Sequence, residues 1–179
     1  MKNLVQYIQE WFVAKQEYLE SFARNDVRVE SWFKAELLVL FEQLRSQALI
    51  DSFKREANLS TNRGRKQIDF ILETNGEEHL CELKTMCTSQ AMGTPRNLQF
   101  YFRDDNVGLI KDFKKLDGIR HRNKWVMAFI YPKPTRGDWQ RAINSLAEDT
   151  RHWRCITKID DYPEYLFIAL WSSQRSNPG

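Results

Sequence analysis

The sequence is poor in the residues that announce several common kinds of chemistry. Three cysteines occur in 179 residues, Cys81, Cys87 and Cys155. They are odd in number, form no CxxC and have no second cluster with which to build a zinc site, so neither a disulfide framework nor a structural zinc is expected. That scarcity fits a reduced, cytoplasmic setting. No run approaches the roughly 18 apolar residues of a membrane span. The N-terminus carries polar residues at helical spacing where an export signal would be apolar, so the chain is expected to be unexported and to have no membrane partner. GxSxG, Walker and Rossmann glycine patterns are missing. His79, His121 and His152 are scattered without ligand spacing, which argues against a histidine-held metal. Charge of one sign is scarce as well: 27 Lys and Arg against 24 Asp and Glu leave +3. That is too mild to mark a nucleic-acid binder, so the placement of charge carries more information than its total.

What is present suits one globular domain over residues 1–179, since 42% apolar and 13% aromatic content can bury a real core. Leu4, Ile8, Trp11, Phe12, Tyr18, Leu19 and Phe22 keep the 3.6 period and predict one amphipathic helix over 3–23, within an N-terminal segment 1–26. Its aromatics make it a candidate for docking on another chain, a homodimer included. Asp26 is expected to cap a second helix whose stripe is Val29, Trp32, Phe33, Leu37, Leu40, Phe41 and Leu44. Short strands are predicted at 50–56, 67–74 and 78–85, then a loop over 86–106, a basic helix at 107–118 and a strand at 125–131. In the segment 132–171, Asp138 is expected to cap a helix reaching about 150, before strands at 153–159 and 165–171 and a polar tail, 172–179. This order argues for an α/β sandwich with a mixed sheet.

Within it, Asn75-Gly76 between two alternating runs signals a two-residue hairpin, because a type I′ turn needs positive φ at both central residues. The register that follows sets Asp69 opposite Glu82 and Gln67 opposite Lys84, with Asp69, Glu82 and Lys84 on one face and Ile68, Phe70, Leu72, Cys81 and Leu83 on the other. Carboxylates whose Cβ atoms lie about 4.5 to 5.5 Å apart repel each other and require a cation. A divalent ion with hard-oxygen preference, Mg²⁺, meets that requirement; so does a salt bridge to Lys84 or a nearby arginine. Glu36 falls inside the apolar stripe of the second helix and is expected to point toward the sheet, with Glu30 as a rival and a partly exposed stripe edge as the plainer account. Glu56 is a further candidate ligand unless Arg55 simply pairs with it.

Glu36 on a helix, then Asp69, then Glu82-Leu83-Lys84, resembles the PD-(D/E)xK nuclease superfamily over roughly residues 29–131, although Ile68 stands where the family name has proline. The resemblance implies a three-layer α/β/α sandwich with a restriction-endonuclease-like core (αβββαβ), to which this chain adds an N-terminal helix. It further implies a Mg²⁺-dependent nuclease, with Mn²⁺ able to substitute, acting on DNA in preference to RNA. By resemblance, Asp69, Glu82 and the Leu83 carbonyl bind the metal, Lys84 positions or activates the attacking water, and Glu36 assists. The alternative is the same fold without catalysis, binding nucleic acid or a protein partner.

Basic residues gather before the Asp69 strand, at Arg63, Arg65 and Lys66, and on the helix after the loop, at Lys111, Lys114 and Lys115. Phosphate neutralisation by such flanks supplies most non-specific affinity for a polyanion, though lysines on a helix are also ordinary solvated surface. Phe100, Tyr101 and Phe102 are expected either to stack on bases or to pack in the core. Asp112 is expected to pair with Lys115 in a structural role.

Overall fold

The computed structural model describes residues 2–61, 64–88, 98–103 and 108–173. The Asn75-Gly76 turn frames its sheet: both residues have positive φ, 53° and 70°, and the strands they join run antiparallel from Thr74↔Glu77 to Phe70↔Cys81. The strands are β1 (Ser52–Thr61), β2 (Gly64–Thr74), β3 (Glu77–Cys87), β4 (Lys124–Tyr131), β5 (Trp153–Cys155) and β6 (Phe167–Ser173). They form one mixed sheet in the order β1-β2-β3-β4-β6-β5, parallel between β3 and β4 and antiparallel elsewhere.

The expected opposition of Asp69 to Glu82 and of Gln67 to Lys84 is not formed, because the β2–β3 ladder ends at Phe70↔Cys81. Beyond that rung β2 pairs with β1 alone, down to Thr61↔Gly64, so Gln67 faces Asn58. β3 continues on β4, up to Cys87↔Tyr131. The sheet therefore forks at the two acids. On the other side of Asp69, the β1–β2 ladder skips the rung between Arg55↔Phe70 and Ala57↔Ile68, where Glu56 sits at φ 51°.

The helices are α1 (Lys2–Val13), α2 (Gln16–Arg24), α3 (Glu30–Ser46), α4 (Leu109–Asp117) and α5 (Arg136–Asn144). α3 packs on the sheet face that carries Phe70 and Phe129, with ring centroids 5.3 Å from Phe41 to Phe70 and 4.4 Å from Phe33 to Phe129. The register places Glu82, Val126 and Trp171 on the opposite face. There Phe113 of α4 meets Trp171 edge-on and stacks on Trp153, while Trp139 of α5 meets Phe167.

Several predicted boundaries move for tertiary reasons. The single helix expected over 3–23 is two, broken at Ala14-Lys15, where Lys15 N–H donates to the Phe12 carbonyl. The break lets Phe12 wedge between Phe33 and Phe129 while Lys15 reaches back to α3. Leu4, Ile8, Phe12 and Leu19 are buried in the chain's own core, and Tyr18 is left exposed. Asp26 does not cap α3. It takes φ 50° and closes α2, with Val27 N–H donating to the Phe22 carbonyl and Asp26 N–H to that of Ala23. Thr135, not Asp138, caps α5: its Oγ1 accepts the Asp138 backbone N–H. The 3-10 turn Leu98–Phe102 buries Tyr101 and Phe102, the latter against Trp139 and Trp171. These two rings pack in the core.

Candidate active site

Where the ladder stops, the Asp69 side chain takes over. Its Oδ2 accepts the Leu83 backbone N–H at 2.9 Å, and its Oδ1 lies 2.7 Å from Lys34 Nζ. Lys34 and Glu30 are one helical turn apart on α3 and sit 3.2 Å from each other, so the same ammonium serves both acids. Burial works against the Lys34 charge, but Asp69 and Glu30 together outweigh it and raise its pKa above the ordinary lysine value.

Glu82 is 3% exposed. Lys115 of α4 brings its Nζ to 2.6 Å from Oε1, so this buried oxygen is answered by a cation. Burial, and next the nearby Asp69 charge, push the Glu82 carboxyl up to about 7, with Lys115 opposing in part. Lys84, two residues along the same face, pairs not with Glu82 but with Asp112 of α4, Nζ to Oδ2 3.0 Å. Asp112 is buried, which raises its pKa, and Lys84 pulls the other way.

The lysine partners are thus exchanged relative to expectation: Lys115 belongs to Glu82, and Asp112 to Lys84. Among the described residues Glu30, Asp69, Glu82 and Asp112 meet Lys34, Lys84 and Lys115, an excess of one negative charge when every acid is ionised. Lys34 has no counterpart among the sequence expectations, and Asp112 enters them only as a structural partner of Lys115. Asp112 had the same signal as Glu36, an acid among the apolar positions of a helix, here Leu109, Phe113 and Leu116.

Glu36 lies elsewhere. It accepts from Trp11 Nε1 at 3.0 Å and pairs with Lys15 at 2.9 Å, with the Lys15 ammonium also over the Trp11 ring. Two residues beyond Lys34, it is turned by about 200° around α3, toward α1. Glu30, not Glu36, shares Lys34 with Asp69. Glu56 pairs with the neighbouring Arg55.

The predicted basic flank divides in the same way. Arg65 is exposed on β2 and Lys111 and Lys114 are exposed on α4, whereas Arg63 lies outside the described residues. Lys66 Nζ donates to the Lys115 carbonyl at 3.1 Å, which satisfies a backbone acceptor in the last turn of α4. Among the described residues, no three of His, Cys, Asp and Glu gather into a metal cage. His79 is held by Trp125 Nε1 and Thr74, and burial lowers its pKa. No helix of the described residues is long and apolar enough to cross a membrane. No family model matches the chain, and no match to it is found among curated proteins or among solved structures.

Proposed function

We propose that this chain is a Mg²⁺-dependent phosphodiester hydrolase of the restriction-endonuclease-like, three-layer kind, acting on DNA in preference to RNA in a reduced, cytoplasmic setting. One observation carries the reading. Asp69 and Glu82 come from two strands that part at those residues, and Lys84 stands one alternate position farther along the same face.

The donor set fits a hard dication. Mg²⁺ is commonly held by one or two carboxylates, the rest of its shell being water and substrate oxygens, so the pair Asp69 and Glu82 is a sufficient protein share. The buried Glu82 carboxylate feels the Asp69 charge beside it, a repulsion that a dication would relieve. Asp69, Glu82 and the Leu83 carbonyl are the groups that would hold the ion. When bound, it would polarise the scissile phosphate and lower the pKa of a water. Lys34 and Lys115 neutralise the acids here, and their flexible stems would let both ammoniums turn toward the phosphate backbone once an ion took their place. Lys84 orients the attacking water and stabilises charge on a phosphoryl oxygen. Lys111, Lys114 and Arg65 draw in the polyanion.

The neutralisation of both acids by lysines also favours a second reading, in which the fold binds nucleic acid without cutting it. Supercoiled plasmid incubated with Mg²⁺, with Mn²⁺ and with EDTA separates the two. The first reading expects nicking that EDTA abolishes and that Asp69→Ala and Lys84→Ala each reduce at least 100-fold (about 10²). Binding without nicking by the wild type would leave only the second.

A further inference from the structure

The hydrolytic reading gives Asp112 no task. This carboxylate is 7% exposed, on a helix whose neighbouring stripe is apolar, and burying a charge there is costly unless a cation answers it. The cation in contact is Lys84, 3.0 Å away and 17% exposed, with the Lys115 charge acting from farther off. The other two ammoniums of the cluster rest on the acids of the fork themselves, Lys34 on Asp69 and Lys115 on Glu82. Lys84 leaves β3 on the Glu82 face, about 7 Å along the strand. Its four-carbon stem is long enough to fold back onto Glu82 as a further competing cation. Asp112 draws it the other way, toward α4.

We infer that Asp112 is a positioning residue, a tether that holds the Lys84 ammonium beside the substrate phosphate and off the carboxylates of Asp69 and Glu82. The inference rests on the reading of this cluster as a hydrolytic site. Asp112 touches neither substrate nor metal; it acts by fixing where one flexible side chain ends. Loss of the tether misplaces Lys84 and adds its charge to oxygens that a dication has to reach.

Asp112→Asn keeps the volume and removes the charge. In the wild type, the ζ-ammonium signal of Lys84 in nitrogen-15 NMR, assigned by its loss in Lys84→Ala, is expected to be distinct and protected from exchange. In Asp112→Asn it merges with the exposed lysines. Mn²⁺ affinity by calorimetry falls several-fold, kcat on plasmid falls roughly 100-fold and KM changes less than about two-fold. The double variant Lys84→Ala/Asp112→Asn cuts as slowly as Lys84→Ala alone. Should Asp112→Asn not fold, Asp112→Glu, one methylene longer, shows the same direction of change at smaller size. An unchanged Lys84 signal, or losses that multiply in the double variant, overturns the tether. A wild type that cuts and an Asp112→Asn that cuts as fast defeats the tether alone, whereas a wild type that never cuts defeats the hydrolytic reading and the tether with it.

Discussion

The Asp69 carboxylate stands in for a rung of the sheet: it accepts the Leu83 backbone N–H at 2.9 Å one step beyond the last β2–β3 pair, Phe70↔Cys81. A side chain that completes a ladder while its second oxygen faces Lys34 couples the integrity of the fork to the charge inside it.

Asp69→Asn and Asp69→Ala therefore separate the two roles. Asparagine retains an oxygen for the Leu83 N–H, and it should destabilise the chain by less than about 1 kcal/mol, whereas alanine leaves that donor unanswered at a cost of about 1 to 3 kcal/mol. Both should abolish Mg²⁺-dependent nicking. Urea unfolding beside a plasmid assay reads the two effects; equal stability for the two variants would show that the Leu83 contact contributes nothing.

Glu82 gives the chain a pH signature in the absence of metal. Its carboxyl titrates near 7 in the folded state against an ordinary 4.5, so between those values the native chain binds more protons than the unfolded one. Unfolding free energy must then fall as pH rises through that window and level off above it. Glu82→Gln removes this slope, and its stability relative to wild type should climb from pH 4.5 to 7 by on the order of 3 kcal/mol. Thermal unfolding in EDTA across that range measures it, and parallel curves for the two proteins would reject the assignment.

Glu36 should matter for stability and not for cleavage. Its partners are Trp11 and Lys15, on the far side of α3 from Lys34. Glu36→Gln is expected to cost about 1 kcal/mol in denaturant unfolding and to leave nicking rates within about two-fold. A variant that folds well and cuts poorly would return Glu36 to the site.

The basic residues should divide by function. Lys66 caps the end of α4, so Lys66→Ala lowers stability by about 0.5 to 1.5 kcal/mol with little change in DNA affinity. Lys111→Ala and Lys114→Ala remove charges from the exposed side of α4. Each should reduce the slope of log K against log salt by about one. Fluorescence anisotropy of a labelled duplex across a salt series distinguishes them.

Much of the sheet was legible because it follows from short-range rules. Asn75-Gly76 forces one turn type, the turn forces the register, and alternation assigns Phe70 and Cys81 to one face and Glu82 and Lys84 to the other. The helical stripe of α3 was equally plain, since Phe33, Leu37, Leu40, Phe41 and Leu44 are all buried. Where the reading failed, the deciding contact was distant in sequence. Nothing local says that 3–23 must break at Ala14-Lys15; Phe33, Phe129 and Glu36 say so, by receiving Phe12 and Lys15. Nor does the hairpin alone reveal that its strands part at Asp69, because the neighbours that hold them apart, β1 and β4, lie on opposite sides.

By itself the sequence determined which residue types share a strand face and how one hairpin registers, because turn geometry and side-chain alternation act over a few residues. Tertiary structure alone decided which lysine neutralises which acid, placed Glu36 against α1 and brought Asp112 to Lys84. A buried charge takes the partner that packing delivers within about 3 Å, and that choice is made by helices and strands far apart in the chain.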